Sequence, residues 1–242
     1  MPWDFWLIFL IVGAFVPWRG QRRMRHIMAL PEVAGRDRMR LYFSTILFQW
    51  LLTAFVGWRA ISRGLTSGEL GLTGAWQPSV LLITFAGALL IAWGHWMNLR
   101  RMAGAGTSHP SIEFLRAMAA RIFPRSNGEI LVYVALALTA GICEEFIFRG
   151  FMIAALVRAE IPGWTVVAIS SLLFGMAHLY QGKGGSIATG MLGIVFAVVR
   201  ITYYSLFPVI VWHTVLDVVA GVAGAKYLTT KPLQPTIVIG NR

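Results

Sequence analysis

Seven apolar segments, at roughly 3–18, 41–58, 78–97, 129–157, 164–181, 186–206 and 207–225, leave this chain one kind of fold. About 20 apolar residues span a bilayer as a helix, and in lipid a helix satisfies its own backbone hydrogen bonds segment by segment. The expected fold is all-α: a polytopic transmembrane helical bundle of about seven membrane helices. The first and last segments are short for a span, so their boundaries are soft. Segments six and seven abut at Ser205-Leu-Phe-Pro208, where Pro208 marks a turn or a helix start. One helix running through both, about 40 apolar residues, would overshoot any bilayer. Composition agrees, with 57% hydrophobic residues, 13% charged residues and a mean hydropathy of +0.68. A soluble domain is nearer about 45–50% apolar and about 25% charged. The 242 residues suit a single integral membrane domain, 1–242, with short loops.

The net charge of +11 would suggest nucleic-acid binding in a soluble protein. Here the basic residues lie between apolar segments, so topology and anionic lipid explain them and no nucleic-acid partner is expected. Alternate loops hold sixteen Lys and Arg against four. The positive-inside rule then places the N-terminus outside and the C-terminus in the cytoplasm, in a cytoplasmic (plasma) membrane. Met1-Pro-Trp-Asp-Phe-Trp6 has no basic n-region and no Ala-x-Ala site, so the first segment reads as a retained helix. The basic 19–40 loop and the 113–123 stretch are amphipathic, and each reads as an interfacial or connecting segment. The single cysteine, Cys143, excludes an internal disulfide and reads as a small packing residue. Small residues four apart, Gly182, Ser186 and Gly190 beside Gly185, Thr189 and Gly193, predict close helix packing within the monomer.

Charge inside the apolar segments is the second constraint. Glu144, Glu145 and Arg149 sit in segment four, His178 ends segment five, and His213 and Asp217 lie on segment seven. Ionisable groups at membrane depth are costly and read first as functional. Glu145 and Arg149, four apart, share a helix face and predict a structural ion pair beside the site. Glu144 is turned about 100° away and is left for chemistry. His213 and Asp217 also share a face. Four polar side chains from three helices, Glu144, His178, His213 and Asp217, predict one cavity. There a glutamate and a histidine take a proton from water, and a second histidine with a polar neighbour donates to an oxyanion. That set of roles describes amide hydrolysis.

Three motifs in order, Glu144-Glu145-Phe-Ile-Phe-Arg149, Phe174-Gly-Met-Ala-His178 and His213-Thr-Val-Leu-Asp217, resemble the CPBP family, also called the type II CAAX prenyl endopeptidase or Abi family. The resemblance covers about 126–220, beginning at Pro124-Arg-Ser-Asn-Gly-Glu129, and leaves 1–125 as accessory membrane helices and basic loops. It implies an intramembrane endopeptidase that cuts a peptide or protein substrate in or at the membrane, prenylated C-termini, pheromones and bacteriocins being the family's range. By position, Glu144 and His178 activate water while His213 and Asp217 stabilise the oxyanion. Many family members carry Asn at the position of Asp217. An ionised Asp accepts hydrogen bonds and cannot donate them, so Asp217 must be protonated or only orient His213.

A zinc site built from Glu144, His178 and His213 is the alternative chemistry. The chain lacks His-Glu-x-x-His, and the resemblance supports a metal-free glutamate mechanism, so no cofactor is expected. A non-enzymatic scaffold or self-immunity protein and a proton-coupled transporter are the other function classes. The intact carboxylate and histidines argue against the scaffold. The confinement of deep polar residues to the second half argues against the transporter.

Four further expectations bear on the site. His95, near a segment end, reads as interfacial, as do most of the ten Trp residues. Arg200 reads as snorkelling outward, with binding of a substrate carboxylate as the alternative. His26 and His109 fall in loops. Finally, Glu144 lies about 22 Å along its helix from Glu129, whereas His178 lies at the cytoplasmic end of segment five, so the two require tilt, a kink at Gly141 or Gly150, or a shifted boundary to meet.

Overall fold

The computed structural model describes residues 1–104 and 110–229. Among these every regular element is helical. There are eight helices: α1 (Trp3–Ala29), α2 (Gly35–Ser62), α3 (Pro78–Gly104), α4 (Pro110–Ile122), α5 (Asn127–Arg158), α6 (Gly163–Ala177), α7 (Gly182–Tyr203) and α8 (Phe207–Leu228). Short π-helical stretches interrupt α1 at Ile11–Phe15 and α5 at Phe146–Met152. The stretches containing α1, α2, α3, α5, α7 and α8 are long and apolar enough to cross a membrane. The seventh apolar segment, α6, is a 15-residue helix and falls short of a full span. The chain is a multi-pass membrane protein.

Local chemistry accounts for several boundaries. Ser126 caps α5, its hydroxyl accepting from the Glu129 N–H at 3.3 Å, and the Glu129 carboxylate accepts from the Arg125 N–H at 2.8 Å. That carboxylate also receives Arg38 of α2 in a two-pronged contact at 2.8 and 3.0 Å, which clamps α2 to the start of α5. Tyr204, at φ 51°, ends α7, and Pro208 sits in the first turn of α8, as expected from its missing N–H.

Four expectations are corrected. The first segment does not stop at residue 18 but continues as helix through Ala29. Its arginines find partners on α2: Arg19 lies 4.0 Å over the Phe48 ring, and Arg23 donates to Thr45, Ser44 and the Leu41 carbonyl. Arg200 neither snorkels outward nor faces a substrate site. It is buried and donates to the Glu69 carbonyl in the α2–α3 connection. That connection folds into the bundle, with Leu65 and Leu70 buried and the Leu206 N–H donating to the Gly71 carbonyl at 2.8 Å. Trp212 is buried rather than interfacial, and its indole N–H donates to the Thr84 carbonyl at 2.9 Å, joining α8 to α3. His26 lies in α1, and His109 falls outside the described residues.

The small residues of α7 serve packing within the chain. Ser186 donates to the Gly175 carbonyl of α6 at 2.6 Å, and a side-chain carbon at Gly175 would stand 3.2 Å from the Gly190 Cα. Gly141 and Gly150 are points of close approach, and Gly150 lies within the π stretch of α5. A side-chain carbon at Gly141 would meet the Ile210 carbonyl of α8 at 2.9 Å, and one at Gly150 would meet the Leu70 carbonyl at 3.1 Å. Both glycines admit close neighbours, and the irregularity in α5 is the π stretch that follows Glu145.

Candidate active site

The depth conflict between Glu144 and His178 disappears in the structure. Helix α5 has 32 residues, about 48 Å, and overshoots a bilayer. Measured from its Arg158 end, Glu144 lies about 21 Å down the helix; measured from Gly163, His178 lies about 22 Å down the antiparallel α6. The two residues are level, and the Glu129 end of α5 was the wrong origin. Because α6 is short, its last turn puts His178 inside the bundle, where the residue is buried.

The Glu144 Oε2 atom stands 3.6 Å from His178 Nε2. Each group is oriented from its far side. Gln49 of α2 donates its amide to Glu144 Oε1 at 2.7 Å. The Phe174 carbonyl, 2.8 Å from His178 Nδ1, accepts from that nitrogen, which in the neutral ring leaves Nε2 without a proton. The Oε2 atom of Glu144 is buried with no hydrogen-bond partner among the described residues.

The second carboxylate is committed elsewhere. Glu145 and Arg149 are both fully buried, and Arg149 Nη1 donates to Glu145 Oε1 at 2.9 Å. The same oxygen faces His213 Nδ1 at 2.7 Å. The Arg149 guanidinium also lies 3.9 Å over the Phe174 ring, so the residue four positions before His178 doubles as its seat. His213 Nε2 is left to face Asp217 Oδ2, at 3.7 Å. The expected ion pair is therefore one edge of a chain, Arg149–Glu145–His213–Asp217, that reaches from α5 to α8.

Glu144, His178, His213 and Asp217 all line one cavity of about 1020 Å³. The lining runs from these residues to Ile27, Ile122 and Lys183, at the end of the bundle where α1 stops and α7 begins. His95 of α3 also lines it. Arg149 and Glu145 stay behind the wall, and Cys143 is buried beside Glu144 with its thiol free.

Two lining residues escaped sequence reasoning. Gln49, a single amide among Phe48, Trp50 and Leu51, carried a signal that could have found it, since a polar side chain in an apolar span needs a partner. The contact between Glu145 and His213 carried none, because nothing in the spacing links residues so far apart. Tyr180, on the turn after His178, packs its ring 5.7 Å from that histidine.

Among the described residues, no group of three or more His, Cys, Asp or Glu side chains is arranged to hold a metal ion.

Fold and site together define a helical membrane protein with a carboxylate–imidazole pair in a cavity. Residues 126–219 match the family model described as type II CAAX prenyl endopeptidase Rce1-like, the family that the three motifs resemble, and the match supports a CAAX-type intramembrane endopeptidase. No curated protein and no solved structure matches the chain.

Proposed function

We propose that this protein hydrolyses a peptide bond of a membrane-associated substrate with a water activated by Glu144 and His178. One observation carries the reading. Glu144 Oε2 and His178 Nε2, both acceptors, face each other at 3.6 Å, too far for a direct bond and suited to a bridging water. Such a water donates one O–H to each. Its oxygen then attacks the scissile carbonyl carbon while its proton passes to the pair. His213 carries the developing oxyanion by donating from Nε2, in its doubly protonated form, with Nδ1–H already given to Glu145. Collapse breaks the C–N bond, and the held proton goes to the leaving nitrogen. Asp217 orients His213 or, protonated, donates alongside it.

Arg149 acts at one remove by holding Glu145. The cavity lining is largely apolar, which suits a hydrophobic segment or a prenyl chain next to the cleaved bond. By the charge rule, the cavity reaches the cytoplasmic side, the N-terminus lies outside, and the exposed Arg22 and Arg25 near the end of α1 meet anionic lipid.

The test is cleavage by purified protein in detergent of membrane-anchored peptides, each made with and without a prenylated C-terminal cysteine. Endoproteolytic products from wild type and not from Glu144→Gln support the reading. Products from both variants in equal amount remove Glu144 from the reaction.

A further inference from the structure

We propose that Gln49 is a positioning residue for Glu144, supplied by a helix outside the family-matched residues 126–219. The proposal rests on the assignment of Glu144 as the base that activates water.

The two adjacent glutamates are held in different ways. Glu145 is locked by Arg149 and His213. Glu144 has one hydrogen-bonded neighbour in the described chain, the Gln49 amide at 2.7 Å on Oε1. The terminal torsion of a glutamate is broad and roughly two-fold, so nothing intrinsic keeps Oε2 toward His178. Pinning Oε1 from α2 sets the plane of the carboxylate and presents Oε2 to Nε2 of the histidine. A neutral amide does this without cancelling the charge on the base, as an Arg or Lys at the same place would.

The cost of this glutamine to α2 points the same way. Its neighbours along the helix are Phe48, Trp50, Leu51 and Leu52. Its own Oε1 is buried with no partner among the described residues. A half-satisfied amide in an apolar helix does not help folding, because burying a polar group without a hydrogen bond is unfavourable. An apolar residue of similar size would pack α2 against α5 equally well. The amide has a use only through the group it touches.

The test is steady-state cleavage of the best-cleaved anchored peptide by wild type, Gln49→Met, Gln49→His and Glu144→Gln. Methionine keeps the volume and loses the donor. Histidine restores a ring N–H at comparable reach. The expected result for Gln49→Met is a kcat about ten- to a hundred-fold lower, as for loss of a hydrogen bond to a charged group, with KM and Tm unchanged and partial recovery in Gln49→His.

A second readout needs no substrate: the infrared carboxyl band that Glu144→Gln removes should shift in Gln49→Met. Wild-type kcat together with an unshifted band in Gln49→Met, beside an inactive Glu144→Gln, overturns the proposal alone. So does a Gln49→Met whose kcat and Tm fall together without recovery in Gln49→His, which marks a packing residue. Activity surviving in Glu144→Gln instead overturns the parent reading, and this one with it.

Discussion

His213 Nδ1 lies 2.7 Å from Glu145 Oε1, across 68 residues of sequence and between two helices. The contact joins the Glu-Glu-x-x-x-Arg motif to the His-x-x-x-Asp motif. It gives the second glutamate a task that the first cannot share, and it fixes which His213 nitrogen faces the cavity.

Removing that carboxylate should damage the fold before the chemistry. Glu145→Ala leaves Arg149, which has no exposed surface, as an uncompensated buried charge. The expected loss is about 3–5 kcal/mol, read as a fall in the detergent thermal midpoint. Glu145→Leu combined with Arg149→Met should recover a large part of it. An additive double variant would show that the pair is not coupled.

Gly193 tests the seat of the same arginine. A side-chain carbon there would lie 3.0 Å from Arg149 Nη2 and 3.3 Å from the Phe174 ring. Gly193→Ala should cost about 1–3 kcal/mol through overpacking and lower cleavage. Gly94→Ala on α3 meets nothing within 4 Å and should leave both unchanged. Thermal midpoints of the two variants, measured side by side, decide it.

Asp217 stands 3.7 Å from His213 Nε2. An amide at this position can both orient the ring and donate to an oxyanion. Asp217→Asn should therefore keep kcat within about ten-fold of wild type, whereas Asp217→Ala should lose about a hundred-fold. Equal losses in the two would mean that the carboxylate itself is required.

The α2–α3 connection carries a pH effect outside the membrane-spanning helices. The Arg158 guanidinium, with the Thr66 backbone and hydroxyl, holds the Glu69 carboxyl at about 2, against 4.5 for a free glutamate. The folded value is depressed, so the contribution is complete above pH 4.5 and is lost as pH falls toward about 2. The pair is partly exposed and screened, which keeps it below about 1 kcal/mol. Over that window the thermal midpoint of wild type should fall slightly more than that of Glu69→Gln.

Much of this was legible in the sequence. Seven apolar segments yield seven apolar helices, because hydropathy is a property of each segment alone. The face shared by Glu145 and Arg149 follows from helical geometry, and their ion pair is found. What escaped depends on tertiary placement. Helix α1 outruns its apolar stretch because Arg19 and Arg23 find partners on α2. The buried setting of Arg200 depends on a connection folding inward, which hydropathy does not register. The level placement of Glu144 and His178 depends on α5 overshooting and α6 falling short, and soft segment boundaries hid both. Gln49 was visible as a polar residue in a span, but its partner was not.

The most direct measurement is hydrolysis of one anchored peptide by wild type and Glu144→Gln, each with and without a strong chelator, followed by mass spectrometry of the products. The account requires cleavage by wild type that survives the chelator and is lost in Glu144→Gln with the thermal midpoint unchanged. Cleavage abolished by chelator and restored by zinc, or a Glu144→Gln protein as active as wild type, would contradict it.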